Sequence, residues 1–395
     1  MNFEFAIANL IIFGPGRFRE IGDIAQSFGK RALVVTGKRA LSEAGIVDKL
    51  KQNLEAKRVE FLQFMVPGEP DLNLIEQKMV EAANADCDLV IGLGGGSVID
   101  TAKAIGVLLT NGGNLLDYME VIGKGKPLTK PALPLIAIPT TAGTGSETTR
   151  NAVIKDPHTG VKASLRSPYL LPRVALVDPE LTYSLPPEIT ASTGLDALTQ
   201  LIEPYTSKRA QPFTAALIQD GIKRVARSLL KAYEQGDSIA REDMALASLE
   251  SGMALANSGL GAVHGFSGSL GGKYSIPHGM ACACLLPHVM EANIRSLQTK
   301  EPSSPILDRY AEIGEWLIGK RLETEQETRD AGIKFVRELC LRLKVPSLRD
   351  FGLKLEDLPE IANQSAKSSS MRANPVSFSQ DELVGILTSA LEENR

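Results

Sequence analysis

Short apolar runs without polar alternation recur through the first half of the chain. Such runs are typical of strands in a parallel sheet that is covered on both faces. Helical periodicity fills the intervals between them, so the pattern predicts a doubly wound, mostly parallel sheet. The predicted strands span residues 9–14, 31–37, 60–66, 89–91, 135–138 and 174–178, with a hairpin formed by residues 152–155 and 161–165.

The pattern changes after Leu185-Pro186-Pro187. Beyond this point the segments repeat with a period of about 3.6 residues, which indicates helices. We therefore predict an α/β domain over residues 1–183 and an all-α domain over residues 184–395. A polar stretch at residues 366–374 is predicted to be a mobile loop. The predicted helices span residues 189–205, 213–233, 239–257, 307–317, 326–343 and 380–393.

A glycine-rich turn follows the predicted strand at residues 89–91. Glycine has no Cβ, so backbone N–H groups in residues 94–96 can approach a bulky anion. Ser97 and Asp100 have the spacing of a capping pattern, which places a helix N-terminus just after the glycines. The partial positive charge there suits a pyrophosphate. Because the turn matches neither G-x-G-x-x-G nor a P-loop, a glycine turn without a ligand is the alternative.

A second loop, residues 140–146, carries hydroxyl side chains and follows the predicted strand at residues 135–138. Carboxyl ends of parallel strands meet at one edge of the sheet, where α/β proteins bind their ligands. Two such loops at one edge favour nucleotide binding more strongly than either loop alone. The residues expected to bind the nucleotide are Gly94, Gly95, Gly96, Ser97, Asp100, Thr140, Thr141 and Thr144.

The second half of the chain contains a set of possible metal ligands. Asp196 and Gln200 have i, i+4 spacing, so their side chains project from one face of a helix. His264 and His278 are each followed by a glycine, as expected where a side chain meets a ligand beside close-packed backbone. Two imidazoles, a carboxylate and an added oxygen donor suit a divalent transition metal. A capping Asp and two structural histidines are the alternative interpretation.

Composition and charge exclude several classes of protein. The 395 residues are 43% apolar and 23% charged with a net charge of −4, which favours no nucleic-acid or membrane partner. No apolar run approaches the roughly 18 residues of a membrane span, and residues 1–5 lack the character of a signal peptide. Four cysteines do not make a disulfide framework in a chain this long. We therefore expect a cytoplasmic protein in which Cys282 and Cys284 are buried free thiols rather than a metal or redox pair.

Several motifs together resemble the iron-containing (group III) alcohol dehydrogenase family. The resemblance spans nearly the whole chain, and the motifs occur in the family's order. It implies a Rossmann-like NAD(P)-binding domain, a helical domain, a metal in the cleft between them and an architecture like that of dehydroquinate synthase. Family members are often dimers or larger, so a homodimer or higher homo-oligomer is expected. The motifs are residues 94–103 (GGGSxxDxxK), 138–147 (IPTTAGTGSE), 196–199 (DALT) and 277–279 (PHG).

The resemblance implies metal ligands at Asp196, Gln200, His264 and His278, with the two histidines also central to catalysis. Gln200 stands where the family has its first histidine. Because a Gln carbonyl binds borderline metals more weakly than imidazole does, the resemblance implies Fe²⁺ or Zn²⁺ held weakly, or an empty site. Family members commonly have a further histidine at the position of Gly268, close to the substrate. Proton delivery here would therefore use water, a ribose hydroxyl or another group.

The choice of cofactor depends on the end of the strand at residues 31–37. A carboxylate at this point hydrogen-bonds the ribose 2′-OH and repels a 2′-phosphate, and NAD-using relatives often carry Asp there. This chain has Gly37, Lys38 and Arg39, so no anion excludes the phosphate and two cations could bind it. The sequence therefore favours NADP(H) over NAD(H). Lys162 matches a family position near the cofactor, with a solvated hairpin lysine as the alternative.

The resulting hypothesis is an NAD(P)-dependent alcohol dehydrogenase or aldehyde reductase of small alcohols and aldehydes. A metal would assist reversible hydride transfer between the nicotinamide and the substrate. One alternative is a metal-independent reductase of the same family, similar to maleylacetate reductase. Another is a nucleotide-binding homologue that has lost catalysis.

Overall fold

The computed structural model describes residues 2–274 and 276–393. The chain separates into two compact units. Residues 6–185 form an α/β unit, and the described residues from 186 onwards form a helical unit together with residues 2–5.

The α/β unit is built on a parallel sheet. Over its described residues the strand order is β1-β8-β5-β4-β2-β3, and every neighbouring pair runs parallel. The remaining two strands, β6 and β7, form an antiparallel hairpin. The prediction of a doubly wound, mostly parallel sheet is therefore confirmed. The strands are β1 Leu10–Phe13, β2 Arg31–Gly37, β3 Glu60–Val66, β4 Leu89–Gly94, β5 Leu135–Pro139, β6 Asn151–Lys155, β7 Lys162–Arg166 and β8 Val174–Val177.

Helices cover both faces of this sheet. Along β2, Leu33 and Val35 join one buried cluster, whereas Ala32 and Val34 join another. Successive side chains of a strand point to opposite faces, so a run that is apolar at every position requires cover on both sides. This is why the strands of this unit show no polar alternation. The helices are α1 Ile21–Gln26, α2 Ala40–Glu43, α3 Ile46–Ala56, α4 Leu72–Ala83, α5 Gly96–Asn111 and α6 Leu115–Tyr118.

The second unit is helical. Three of its helices were not predicted: α10 (Ala262–Lys273), α11 (His278–Lys300) and α14 (Leu358–Ala366). Glycines in α10 and the internal Pro287 of α11 obscure the helical period of the first two. Over the described residues, no helix combines the length and apolar character that crossing a bilayer requires. The helices are α7 Pro187–Thr206, α8 Pro212–Gln235, α9 Ser238–Ser258, α10 Ala262–Lys273, α11 His278–Lys300, α12 Pro305–Ile318, α13 Glu325–Arg342, α14 Leu358–Ala366 and α15 Gln380–Glu392.

The polar stretch at residues 366–374 is anchored at its C-terminal end, whereas residues 366–372 are exposed or partly exposed. Asn374 is buried, and its Oδ1 atom accepts a hydrogen bond of 3.1 Å from the Ala262 backbone N–H. Its amide donates to Asn293 Oδ1 at 2.8 Å. These bonds hold the end of the stretch in place, and the prediction of a mobile loop stays a prediction for the exposed part, residues 366–372.

Candidate active site

Four potential metal ligands from three helices meet in the helical unit. Asp196 comes from α7, His264 from α10, and His278 and Cys282 from α11. Their donor atoms all lie within 4.8 Å of one another. We call these four residues the metal cluster. The structure thus brings together three of the four ligands predicted from the sequence, and adds a cysteine.

Asp196 has the features of a carboxylate that awaits a cation. It is 2% exposed, and its Oδ1 atom has no hydrogen-bond partner among the described residues. This atom lies 3.4 Å from His264 Nε2 and 3.7 Å from His278 Nε2. A buried carboxylate oxygen that accepts no hydrogen bond is costly, so a cation bound between this atom and the two ring nitrogens would be stabilised.

Glu203 fixes the orientation of His264. It lies seven residues after Asp196 on α7, and its Oε2 atom is 2.6 Å from His264 Nδ1. Its Oε1 atom accepts a hydrogen bond of 2.7 Å from the Val263 backbone N–H, in the first turn of α10. The ring is therefore held with Nε2 facing the metal cluster, as in the carboxylate–histidine pairs that support metal ligands. Sequence reasoning missed Glu203, although Asp196, Gln200 and Glu203 form one i, i+4, i+7 stripe.

A close contact between α7 and α11 places His278 and Cys282 beside Asp196. A Cβ added to Gly279 would lie 2.0 Å from the Ser192 carbonyl oxygen. Only glycine allows the first turn of α11 to approach α7 this closely. The glycine after His278 therefore has a packing role that places the ligand.

The charges of the metal cluster are mutually compensating. Burial alone would raise the pKa of Asp196, but the His278 and His264 rings hold it below its ordinary value. Burial alone would lower the pKa of His264, yet Cys282, Glu203 and Asp196 raise it well above its ordinary value. The rings likewise lower the pKa of the Cys282 thiol against the effect of burial. The donor atoms of two acidic and two basic groups thus lie close enough together for a single cation to bind all four.

Gln200 is close to this cluster but is occupied elsewhere. Its Oε1 atom accepts a hydrogen bond of 3.2 Å from Ser251 Oγ. A side-chain hydrogen bond from Gln200 also contributes to the lowered pKa of Asp196. The residue is 2% exposed, so these contacts account for its polar groups. In this arrangement Gln200 supports Asp196, and the ligand role predicted for it remains a prediction.

Cys282 and Gly268 complete the surroundings. Cys282 is fully buried, as predicted for a free thiol, but its Sγ atom lies 4.0 Å from both His264 Nε2 and His278 Nε2. The i, i+4 spacing of His278 and Cys282 was the sequence signal for this placement. A Cβ added to Gly268 would meet nothing within 4 Å, so the position of the missing family histidine is open.

In the α/β unit, the two predicted nucleotide loops lie side by side. Gly94 at the end of β4 is in register with Pro139 at the end of β5, and the Thr140 N–H donates to the Gly94 carbonyl at 3.1 Å. A Cβ added to Gly96 would lie 2.9 Å from Thr144 Cγ2. Similarly, a Cβ on Gly95 would meet Thr141 at 3.4 Å. Glycine is thus needed at position 96 for the close approach of the two loops, whereas the contact at position 95 is an ordinary van der Waals distance.

The predicted capping pattern at the start of α5 is wrong. The helix begins at Gly96, its N-cap is Gly95, and no side chain caps it. Asp100 instead accepts a hydrogen bond of 2.6 Å from Ser146 Oγ and one of 2.9 Å from the Val153 N–H. The free N–H groups at the helix start therefore remain available to an anion. Asp100 holds the second loop. Its predicted contact with a nucleotide stays a prediction.

Two further buried charges support the same loop. Lys103 Nζ donates to Ser146 Oγ at 3.1 Å, Thr149 Oγ1 at 2.8 Å and the Asn151 carbonyl at 2.9 Å. Burial lowers its pKa to about 8. Burial also raises the pKa of Glu147 to about 7. The hydrogen bonds of Lys103 hold residues 146, 149 and 151 together and, with them, the loop beside the glycines.

The positions predicted to select the cofactor differ in exposure. Lys38 and Arg39, just beyond β2, are exposed, and a Cβ on Gly37 would meet nothing within 4 Å. The Lys162 side chain is only 13% exposed, so it is not a solvated hairpin lysine. Its Nζ atom lies 2.5 Å from Glu69 Oε1. Gly37, Lys38 and Arg39 thus leave space for an additional anionic group at the end of β2.

Comparison with known proteins identifies the family. The model of iron-containing alcohol dehydrogenase matches residues 8–179, and the model of the Fe-containing alcohol dehydrogenase family C-terminal domain matches residues 190–391. The chain belongs to the iron-containing alcohol dehydrogenase family. As a member of this family it is an oxidoreductase that acts on CH–OH groups.

Individual relatives agree with this assignment. The chain is 37% identical over 398 residues to 1,3-propanediol dehydrogenase of Klebsiella pneumoniae, covering 98% of each protein. It is 36% identical to alcohol dehydrogenase 4 of Schizosaccharomyces pombe, over 98% of this chain and 89% of that one. A crystal structure of 1,3-propanediol oxidoreductase has a TM-score of 0.92 and 35% identity, covering 99% of this chain and 100% of the other.

The donor set of the metal cluster fits the divalent metal that this family implies. Carboxylate, imidazole and thiolate are all ligands of divalent transition metals. The unpartnered Asp196 Oδ1 faces both ring nitrogens, and Glu203 fixes the ring of His264. The residues present therefore fit such an ion.

Proposed function

We propose that this protein catalyses the reversible oxidation of a small alcohol to an aldehyde or ketone with NAD(P)⁺, assisted by a divalent metal. In the oxidation direction the alcohol loses a hydride to the nicotinamide and a proton to the surroundings, giving the carbonyl compound and NAD(P)H. The observation that carries the proposal is the unpartnered, buried Asp196 Oδ1 that faces the Nε2 atoms of His264 and His278.

Three residues of the metal cluster, together with Glu203, have defined tasks in this proposal. Asp196, His264 and His278 would hold the ion, and Glu203 keeps His264 in its ligating orientation. A metal held there supplies Lewis-acid stabilisation of the negative charge that develops on the substrate oxygen. The buried side chains keep water away from Asp196 and His264, which strengthens these electrostatic interactions.

The α/β unit would bind the dinucleotide. The N-terminus of α5 and the adjacent second loop present N–H groups and hydroxyls that suit the pyrophosphate and ribose. Lys38 and Arg39 suit a 2′-phosphate, which supports NADP(H) as the preferred cofactor. A nicotinamide cofactor held by these loops would supply the hydride acceptor for the alcohol and the hydride donor for the carbonyl compound.

The test pairs metal analysis with activity. Protein purified anaerobically is analysed for metal, and oxidation of NADPH and NADH is followed with a panel of small aldehydes before and after chelation. We expect metal near one equivalent, activity lost on stripping, and activity restored by adding the divalent ion back. In His278→Ala, kcat/KM should fall at least about a hundredfold.

His158→Ala is the matched control, because His158 is an exposed residue in the β6–β7 turn and should leave kcat/KM unchanged. Activity that survives complete metal removal would instead identify a metal-independent reductase. Nucleotide binding without turnover on any alcohol or aldehyde would identify a homologue that has lost catalysis.

Two further predictions concern the protein as a whole. A homodimer or higher homo-oligomer is proposed from the resemblance to the family, and a cytoplasmic location from the sequence. Light scattering on the purified protein measures the first, and fractionation of the source cells measures the second. A monomer in solution would contradict the former.

A further inference from the structure

We propose that Cys282, rather than Gln200, is the fourth protein ligand of the metal, and that the resulting Asp-His-His-Cys set prefers Zn²⁺ to Fe²⁺. This inference rests on the proposed function, because it concerns the same metal cluster. The fourth ligand would then come from α11 instead of α7. It would be a sulfur donor, whereas the ligand expected at residue 200 is an oxygen donor.

The first argument is the position of the sulfur atom. Cys282 Sγ lies 4.0 Å from His264 Nε2 and 4.0 Å from His278 Nε2. With metal–ligand bonds of about 2.0–2.3 Å, a tetrahedral shell has edges of about 3.3 Å between oxygen and nitrogen and about 3.6 Å between nitrogen and sulfur. Asp196 Oδ1 lies 3.4 Å from His264 Nε2 and 3.7 Å from His278 Nε2, and the two sulfur–nitrogen distances are both 4.0 Å. Each distance is within about 0.4 Å of the corresponding edge.

The second argument is that Gln200 is already engaged. Its Oε1 atom, the only atom of the side chain that could ligate, accepts a hydrogen bond from Ser251 Oγ. Its amide group supports Asp196. Ser251 Oγ also has the Ser248 carbonyl as an acceptor at 2.8 Å, so the cost of moving Gln200 to ligate lies mainly in breaking its support of the buried Asp196.

The third argument is the contrast between Cys282 and the other buried cysteines. Cys284 donates its thiol to the Pro346 carbonyl at 3.2 Å, and Cys340 donates to the Ala283 carbonyl at 3.5 Å. These are contacts of structural thiols. Among the described residues, the polar neighbours recorded for Cys282 Sγ are the two ring nitrogens of the metal cluster. Asp196 Oδ1, which accepts no hydrogen bond from the described part of the chain, lies near the same two ring nitrogens. The sulfur, the oxygen and the two nitrogens therefore surround one position.

The chemical consequence is a change in metal preference. Thiolate is a soft ligand that selects zinc among the available divalent ions, and mixed cysteine–histidine sites are known for catalytic zinc. A chain that exchanges an imidazole on α7 for a thiolate on α11 is therefore expected to retain a metal-assisted site while changing the preferred ion.

The deciding experiment uses cobalt as a spectroscopic probe. The full-length protein is stripped of metal and titrated with Co²⁺, with d–d absorption reporting binding and near-ultraviolet sulfur-to-cobalt charge transfer reporting a thiolate ligand. We expect both signals in the wild-type protein. Cys282→Ser should lose the charge-transfer band, whereas Cys284→Ser, the matched buried cysteine on the same helix, should retain it.

Competition between metals gives the second readout. With equal concentrations of Zn²⁺ and Fe²⁺ under anaerobic conditions, the wild-type protein should load mainly zinc. In Cys282→Ser the Zn²⁺ affinity should fall more than about tenfold, the lower bound observed for outer-shell partners of metal ligands. A double variant, Gln200→His with Cys282→Ala, should bind Co²⁺ without the charge-transfer band and shift its loading towards iron.

The outcomes separate this inference from the proposed function. Co²⁺ bound with d–d absorption but without charge transfer in the wild-type protein would overturn the assignment of Cys282 and leave metal-assisted catalysis intact. Retention of the band in Cys282→Ser would also overturn it. Failure to bind Co²⁺, Zn²⁺ or Fe²⁺ at all would overturn both proposals.

Discussion

His264 Nδ1 lies 2.6 Å from Glu203 Oε2, with both side chains buried. This contact leaves Nε2 of the ring for the metal cluster, where Asp196 Oδ1 is 3.4 Å away. Since the other oxygen of Glu203 holds the first turn of α10, one carboxylate fixes both the helix that carries the ligand and the rotation of its ring. The ligand geometry thus depends on a residue that touches no metal.

Glu203→Gln is expected to weaken metal binding. The amide has the same shape, but it loses the charge that favours one tautomer of His264, so the affinity for Zn²⁺ or Co²⁺ should fall about 10–100-fold. Competition with a chelator of known affinity measures the change. Glu188→Gln, at an exposed position of the same helix, should leave the affinity unchanged, and an equal affinity in both variants would contradict the role of Glu203.

Gly96→Ala is expected to weaken nucleotide binding. The added Cβ would lie 2.9 Å from Thr144 Cγ2, so the second loop must move away from the start of α5. We expect the dissociation constant for NADPH to rise about tenfold or more, which corresponds to about 1.4 kcal/mol. Fluorescence titration of NADPH measures it. Gly385→Ala, in the exposed part of α15 where an added Cβ meets nothing, is the control and should bind normally.

Gly37→Asp is expected to change the cofactor preference. The position has space for the side chain, and a carboxylate there repels a 2′-phosphate while accepting a hydrogen bond from a ribose 2′-OH. The ratio of kcat/KM for NADPH to that for NADH should fall about tenfold or more. Steady-state kinetics with both cofactors provide the measurement. An unchanged ratio, equal to that of the control Gly385→Asp, would show that the end of β2 does not select the cofactor.

Glu147→Gln is expected to alter how stability depends on pH. The ordinary pKa of this carboxyl is 4.5, and burial raises it to about 7. The folded protein therefore retains a proton that the unfolded chain loses in this interval. The resulting stability is complete below about pH 4.5 and is lost as the pH rises through 7.

Between pH 4.5 and 7, the free energy of unfolding of the variant should therefore rise by about 2–3 kcal/mol relative to that of the wild-type protein, because the amide does not titrate. Denaturant unfolding without nucleotide at both pH values measures the difference. Exposed Glu55→Gln is the control. Parallel pH dependence in Glu147→Gln and the wild-type protein would refute the assignment of a raised pKa to Glu147.

Much of the α/β unit follows from local sequence patterns. The bounds predicted for the strands at residues 31–37 and 60–66 coincide with β2 and β3. Uninterrupted apolar runs have few alternatives to a strand covered on both faces, and their carboxyl ends necessarily share one edge of a parallel sheet. The adjacency of the two nucleotide loops could therefore be predicted before any contact was known.

The start of α5 shows where local patterns failed. Ser97 and Asp100 have capping spacing, yet Asp100 binds Ser146 and Val153 instead. A capping motif is a local interaction, and a long-range hydrogen bond to a neighbouring loop replaced it. The helix begins at Gly96, inside the glycine turn rather than just after it, with Gly95 as its N-cap.

By itself, the sequence determined the alternation of strands and helices, the two loops at one sheet edge, and Asp196, His264 and His278 as candidate ligands. Only the tertiary structure decided that Cys282 joins them, that Gln200 faces Ser251, and that Glu203 orients a ring. Residue type and spacing place side chains on a helix face. Which faces meet depends on helix packing, and here the contact of Gly279 with the backbone of Ser192 brings α11 close enough to α7 for a metal cluster to form.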